Sequence, residues 1–277
     1  MTSADDDATD PLRDLTARAV AGDKAALQAI CTALQAPIYA LALRMLGTAQ
    51  DAEDCTQEIL VLVVTHLAQY DGRSRVSTWV YTIASRHLLR ARRSKMEERT
   101  HRIGDVSDAI ELGLAQSEPA SLPVGDARLL ARDVQRTCTQ AMLMCLSREE
   151  RLAVLLGDML GATHVVGAAI CEVTPEAFRQ RLSRGRAVLR PILEQQCGIS
   201  NPSNPCRCVR QAATKQRFGL KLPVYKDAEA PADVVARARE QLGSMARLGH
   251  VFAIDPPPAP NRELWHELAR RFPDLLR

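Results

Sequence analysis

The chain lacks the motifs of most enzymes and exported proteins. Its six histidines are dispersed and form no HExxH pair, and no glycine-rich phosphate-binding loop is present. No apolar run approaches the length of a membrane span, and the N-terminus lacks the basic-then-apolar order of a signal peptide. These absences argue against an enzyme and against membrane insertion, and we expect a cytoplasmic protein.

Strand patterns are missing as well. No run of alternating apolar and polar residues indicates a β-strand, whereas helical periodicity punctuated by Gly and Pro recurs along the chain. With 277 residues and 46% apolar content the chain can bury a sizeable core, and its length favours two or three small domains. The sequence therefore predicts an all-α protein.

Composition divides the chain into four segments. Residues 11–95 carry strong helical patterns, with breaks expected near Gly22-Asp23 and near Pro37. Residues 96–128 are polar and irregular with several Gly and Pro, which is typical of a flexible linker. Helical patterns resume over 129–196 and return in a mostly helical C-terminal extension, 197–277. We expect two small helical domains joined by the linker, followed by the extension.

A helix-turn-helix is predicted in the second domain. The stretch GATHVVGAAI gives a short amphipathic helix that Thr163 can cap, and CEV gives a turn of the length that joins such a pair. Thr174 can cap the second helix, and Pro175 suits its first position. A basic helix face often does no more than stay hydrated, but the preceding helix and turn favour binding in the DNA major groove.

The second helix has one face for packing and one for contact. At about 100° per residue, Phe178 shares a side with Leu182, Gly185 and Leu189. Arginine and glutamine on the other side are suited to base edges, and Arg186 on the flank to phosphate. The candidate DNA-binding residues of this helix are Thr174, Glu176, Arg179, Gln180, Arg181, Ser183 and Arg184.

A second basic segment lies in the first domain. The net charge of +3 is small, but residues 73–95 contain seven Lys or Arg and no acid. Aromatic rings beside cations are suited to single-stranded nucleic acid, because bases stack on rings while phosphates pair with arginine. Trp79 alone would more often be a core residue, so the prediction depends on the whole cluster. The cluster consists of Trp79, Tyr81, Arg86, His87, Arg90, Arg92, Arg93 and Lys95.

An acidic segment begins the helix pattern AQDAEDCTQEILVLVV. Asp51, Asp54, Gln57 and Glu58 lie in its first turns. Their charges either complement the positive end of the helix dipole or meet a basic partner. The residues alone leave both interpretations open.

Three stretches resemble regions 2 and 4 of bacterial extracytoplasmic-function sigma factors. They are LALRMLGTAQDAEDCTQEI, YDGRSRVSTWVYTIASRHLL and LSREERLAVLLGDMLGATHVVGAAICEVTPEAFRQRLSRGRAVLR. Their order, their spacing and the intervening linker agree with that family, and the resemblance covers residues 12–95 and 130–195. It implies a protein that binds core RNA polymerase and directs it to promoter DNA.

The resemblance also implies residue roles in the first domain. Asp54, Gln57 and Glu58 fall in the AED..QE motif, whose helix in this family docks on core polymerase, and Asp51 belongs to the same acidic cluster. The stretch that starts at Arg75 and ends at residue 90 corresponds to the part that opens and captures the minus-ten promoter element.

The rest of the resemblance concerns the second domain and the linker. The helix from Thr174 corresponds to the reader of the minus-thirty-five element, and the linker to a segment that threads near the polymerase active centre. Two positions depart from the family pattern: Arg86 stands where many relatives have asparagine, and Arg90 where aspartate is frequent. These two departures affect which base of the minus-ten element is captured.

The extension is a further departure, since minimal family members stop near residue 190. Cys197, Cys206 and Cys208 give a C-x8-C-x-C pattern, which suits Cu(I) better than a zinc site of the usual C-x2-C type. We favour a structural loop here, with metal or redox sensing as the alternative, and we expect no cofactor. Amphipathic patterns over 232–248 and 261–271 predict helices that dock on the two domains. The other cysteines lie in apolar helical segments and are expected to be core residues.

Two function classes remain after the enzyme is set aside. The first is the promoter-specificity subunit, with core polymerase and promoter DNA as partners. The second is a stand-alone helix-turn-helix regulator that uses its first domain for dimerisation. The sequence leaves open whether a separate anti-sigma protein is a further partner.

Overall fold

The computed structural model describes residues 10–98, 102–115 and 124–217. Within these ranges the chain is helical without β-strands, as predicted; an isolated bridge joins Cys197 and Cys206. The helices are α1 Pro11–Val20, α2 Lys24–Leu46, α3 Ala49–His66, α4 Val76–Arg90, α5 Lys95–Glu98, α6 Ile103–Ala115, α7 Val124–Met144, α8 Arg148–Val154, α9 His164–Cys171, α10 Pro175–Gln195 and α11 Cys208–Arg217. A 3-10 turn, Leu67–Gln69, follows α3, and a π-helical turn, Leu155–Met159, follows α8.

Local sequence sets most helix starts. The Asp23 carboxylate accepts hydrogen bonds from the backbone N–H groups of Ala25 and Ala26, and Thr48 caps α3. Ser147 and Glu150 form a reciprocal capping box at the start of α8. Helix α2 ends at Gly47 in the left-handed conformation. The predicted helices therefore begin where short-range hydrogen bonds can satisfy their first N–H groups.

Helix α2 corrects two expectations. It runs through Pro37 without a break, with Leu34, Ile38 and Leu41 buried on either side of the proline. Burial of these side chains outweighs the hydrogen bond that a helical proline removes. The helix is also long and apolar enough to cross a membrane by length and composition, although half of its most apolar window is buried inside the protein.

The segment expected to be an irregular linker contains helix as well. Helices α5 and α6 lie within or across residues 96–128, and α7 begins at Val124. Val106 and Ile110, four residues apart, are buried on one side of α6, which explains why this short apolar pattern folds. The expectation of irregular structure is therefore wrong for α6.

The helices on both sides of this segment share one continuous core. Helix α4 packs against α8 and α9, and α2 packs against α7 and α8. The buried apolar cluster runs from Ile30 in α2 to Leu193 in α10 without interruption. In this arrangement the two predicted domains contact each other directly.

A buried carboxylate joins the two domains. Glu97 accepts hydrogen bonds from Arg148 Nε at 2.9 Å and from Arg151 Nη1 at 3.0 Å. Arg151 also donates to the backbone carbonyls of Leu143 and Met45, and its side chain is 3% exposed. Burial would raise the pKa of Glu97, but the hydrogen bonds from Arg148 and the Ser94 N–H, with the charges of both arginines, hold it below its usual value. Burial lowers the pKa of Arg151.

The described part of the extension packs on the second domain and on α6. Helix α11 lies against α6 and α7, and Gln211 Nε2 donates to the carbonyl of Ile110 at 2.9 Å. Gly113 leaves the room for this contact, because a Cβ there would lie 1.9 Å from Gln211 Oε1. The helical patterns predicted over 232–248 and 261–271 lie outside the described residues.

We expect Glu97→Ala to lower the free energy of unfolding by about 3–5 kcal/mol, because it leaves the Arg151 charge buried without a counter-ion. Urea denaturation followed by circular dichroism measures this, with Glu98→Ala at the exposed neighbouring position as the control. The folded-state pKa of Glu97 is depressed, so its contribution is present above the unfolded-state pKa and is lost as the pH falls through the folded-state value. Equal stability of the two variants at neutral pH would contradict this role.

Candidate functional site

The second helix of the helix-turn-helix, α10, is fixed in the predicted orientation. Thr174 caps it by accepting from the Ala177 N–H at 3.2 Å, and Pro175 occupies the first position. The predicted packing residues Phe178, Leu182, Gly185 and Leu189 are all buried. The Phe178 ring lies against Gly167 of α9, where a Cβ would approach it to 2.3 Å. Gly167 thus allows the two helices to pack closely.

The opposite face of α10 is exposed. Thr174, Glu176, Arg179, Gln180, Ser183 and Arg184 are solvent-exposed, and Arg181 is half-buried. Glu176 pairs with Arg179 at 2.9 Å, and Arg184 donates to Gln180 at 3.4 Å. The Thr174 hydroxyl is already used as a cap, so the polar groups presented to a ligand come chiefly from the arginines and Gln180.

Arg186, which was expected to contact phosphate, is paired within the protein. Its Nη2 donates to Asp158 Oδ1 at 2.5 Å and its Nε to Asp158 Oδ2 at 3.1 Å. The Asp158 side chain, in the π-helical turn, is 4% exposed. Arg186 therefore holds α10 against this turn, because leaving the buried carboxylate alone would be costly.

Glu172, in the turn between α9 and α10, is a residue that the sequence analysis missed. Its backbone is left-handed, with φ 54°, and its carboxylate accepts two hydrogen bonds from the Arg86 guanidinium of α4. The hydrogen bonds and the charge of Arg86 lower the pKa of Glu172. No sequence pattern signals this pair, since its members are 86 positions apart.

The aromatic residues of α4 are partly buried. Trp79 packs against Tyr70 with ring centroids 5.7 Å apart, and Tyr81 is half-buried with its pKa raised to about 12 by burial. Arg75 is exposed at the N-cap of α4. Both rings thus contribute to the core while part of each remains at the surface.

One groove brings together the two predicted binding clusters of the first domain. It has a volume of about 570 Å³ and lies between α3 and α4. Its lining includes Asp51, Asp54 and Glu58 from the acidic cluster, and Trp79, Arg86, His87 and Arg90 from the basic cluster.

Individual groups in this groove already have partners. His87 Nε2 lies 2.9 Å from Glu58 Oε2, and Asp51 accepts from the Thr48 hydroxyl at 2.5 Å. Asp54 is exposed, and Gln57, which does not line the groove, is half-buried. Asp51 therefore supports the helix start, which is one of the two interpretations, while the exposed Asp54 leaves a basic partner as a prediction.

Cys55 lies beside the same acids. The Cys55 sulfur, a Glu58 carboxylate oxygen and a His87 ring nitrogen lie within 4.8 Å of one another. Among the described residues, these three atoms form the group that could hold a metal ion. Burial first, and then the negative charges of Glu58, Asp51 and Asp54, raise the pKa of the Cys55 thiol to about 11. Near neutral pH this thiol is therefore protonated.

A second cavity carries the cysteines of the extension. Cys197, Cys206 and Cys208 line it together with Cys138 of α7, and its volume is about 220 Å³. None of the eight cysteines forms a disulfide. Burial and the neighbouring Cys197 raise the pKa of Cys206. Cys138, expected to be a core residue, is thus grouped with the three candidate thiolate ligands.

Comparisons with known proteins agree with the motif positions. The Sigma-70 region 2 family matches residues 30–98, which contain α3 and α4. The chain is 27% identical to the probable RNA polymerase sigma-C factor of Mycobacterium bovis over 191 residues, covering 68% of this chain and 92% of the relative. It is 24% identical to the ECF RNA polymerase sigma factor SigW of Bacillus subtilis over 172 residues, covering 62% and 91% of the two chains. These matches, and the helices that carry the motifs, make the chain similar to extracytoplasmic-function sigma factors over its first domain and most of the relatives' length.

Proposed function

We propose that the chain binds core RNA polymerase, directs it to promoters and has no catalytic chemistry of its own. The observation that carries this proposal is the exposed face of α10, which presents Arg179, Gln180 and Arg184 while buried Phe178 and Leu182 fix the helix. A capped, basic second helix of this kind fits the major groove with its N-terminal turns. A protein with this function acts in the cytoplasm, and we propose that location for this chain.

The first domain supplies the contact with core polymerase and the contact with the minus-ten element. Exposed Asp54 and Glu58, with Gln57 beside them, face a basic surface of polymerase. The minus-ten element binds along α4, where Arg75, Arg86 and Arg90 are exposed and the partly exposed rings of Trp79 and Tyr81 are available to bases. Half-buried His87 lies between these residues and Glu58.

The same surfaces are engaged internally in the arrangement described. Arg86 pairs with Glu172 and His87 with Glu58, so promoter and polymerase must compete with these pairs. Both members of the Arg86–Glu172 pair are about half exposed, and such pairs contribute about 0.2–1 kcal/mol. We therefore propose that the Arg86–Glu172 pair weakly stabilises the contact between the two domains and breaks when promoter or polymerase binds.

Replacing Arg179 by Ala should weaken binding to a cognate promoter duplex by about 1–3 kcal/mol, because a bidentate contact to a base is lost. The duplex is chosen from genomic fragments by run-off transcription with core polymerase, and affinity is measured by fluorescence anisotropy. Arg190→Ala removes an exposed arginine near the other end of α10 and should weaken cognate and unrelated duplexes alike. If Arg179→Ala leaves affinity and promoter choice unchanged, α10 does not read DNA.

Reversing the charge of exposed Asp54 should weaken association with core polymerase by about tenfold or more. A titration with labelled Asp54→Lys measures this, and circular dichroism checks the fold. Asp108→Lys, an exposed reversal on α6, is the matched control and should bind as wild type does. Equal affinity of the two variants would remove this interface from the proposal. Failure of the wild-type chain to bind polymerase would favour the stand-alone regulator instead.

Removing the charge of Glu172 should release Arg86. In Glu172→Gln we expect about two- to fivefold tighter binding of polymerase at low salt, and a smaller gain at high salt because salt already screens the exposed pair. Glu194→Gln, which removes an exposed acid paired with Arg190 on α10, is the control. A Glu172→Gln variant that binds no tighter than the control would show that this pair does not oppose binding.

A further inference from the structure

Half of the cysteines of this chain meet at one cavity. Cys138 comes from α7, Cys197 follows α10, and Cys206 and Cys208 lie at the start of α11. Cys145 directly follows α7 and does not line the cavity. The four thiols are up to 70 positions apart in sequence, so their convergence is a product of the fold.

The loop between Cys197 and Cys206 is built by specific hydrogen bonds. The Gly198 N–H donates to the Cys206 carbonyl at 3.1 Å, and the Cys206 N–H donates to the Gln196 carbonyl at 3.0 Å, which sets the two cysteines side by side. Buried Asn204 donates to the carbonyls of Leu193 and Cys197. This network holds two of the thiols at the cavity wall.

Gly198 is needed for the close approach of the backbone around Cys197 to that around Cys206. A Cβ at this position would lie 2.3 Å from the Cys206 carbonyl oxygen, a contact that backbone cannot relieve cheaply. The guanidinium of Arg207 packs in the same place and donates to the Cys206 carbonyl at 2.9 Å. A positive charge beside the cavity offsets part of the negative charge that thiolates would bring.

We propose that Cys138, Cys197, Cys206 and Cys208 bind one Zn²⁺ ion as four thiolates. Four sulfur ligands in a tetrahedron make a closed, structural zinc site. The three cysteines of the extension do not provide four sulfur ligands by themselves. Cys138 supplies the fourth ligand from a separate helix. Binding converts four thiols into four thiolates and releases four protons to solvent.

The ion would fasten the extension to the second domain. No three of these sulfurs lie within 4.8 Å of one another in the described arrangement, so side-chain rotation must draw them inward. Val106 and Ile110 of α6 form another wall of the cavity. Zinc would therefore fix α11 against both α7 and α6, a task for which a ten-residue helix has little apolar surface of its own.

The test uses the full-length chain, purified under reducing conditions and loaded with Zn²⁺ or Co²⁺. We expect about one tightly held zinc per chain and a cobalt spectrum with sulfur charge-transfer and tetrahedral d–d bands. Cys138→Ser and Cys206→Ser should lose the ion and this spectrum, whereas Cys145→Ser should keep both. Retention of the spectrum in Cys138→Ser would overturn the four-cysteine site.

Two further outcomes separate this site from its alternatives. Loss of the ion in Cys55→Ser but not in Cys206→Ser would assign metal binding to Cys55, Glu58 and His87 and reject the proposal. Alkylation mapping of the wild-type chain needs no variant to fold: zinc should protect the four cavity cysteines and leave the reactivity of Cys145 unchanged. Equal labelling with and without zinc, or a Cys197–Cys206 disulfide in the reduced preparation, would also reject it.

Discussion

The arrangement of this protein depends on one carboxylate that is buried between two arginines. Glu97 sits in a four-residue helix with little packing surface, yet it receives Arg148 and Arg151 from the second domain. Arg151 in turn binds backbone carbonyls on both sides of the interface. Charged groups are costly to bury, so this set is stable only when every member is in place. Loss of any one member leaves a buried charge unpaired, so the network disfavours arrangements of the two domains that separate these groups.

The exposed contacts at the same interface have a different physical character. Arg86 and Glu172 are half exposed, and solvent and salt weaken their attraction. Such a pair can be replaced by a contact with nucleic acid at a small cost in free energy. Opening the Glu97 network, in contrast, exposes its buried charges to water or leaves them unpaired. The interface thus combines a specific anchor with exchangeable pairs at its edge, and the exchangeable pairs involve the residues that the proposed function requires to be available.

Local and tertiary features differed in how well the sequence predicted them. The caps at Thr163 and Thr174 and the buried face of α10 follow from interactions within a few residues, and the structure confirms them. Pro37 and helix α6 were predicted wrongly because tertiary burial decided both. Pairs such as Glu97 with Arg151 and Arg86 with Glu172 join residues more than 50 positions apart. A single sequence carries no local signal for them, and the same holds for the grouping of Cys138 with the cysteines of the extension.

The connection between the domains is held at two places by different chemistry. Near its start, Glu97 is fixed by charge and hydrogen bonds to α8. Farther along, α6 is fixed by apolar packing against α7 and by the Gln211 contact from α11. Apolar packing is insensitive to salt and to competing ions, whereas a buried ion pair fails as a unit once water enters. If the domains separate on polymerase, the Glu97 anchor must open, because Arg151 binds carbonyls of both domains. A zinc ion bound by the four cysteines would strengthen the contacts among α6, α7 and α11 and would leave this anchor unchanged.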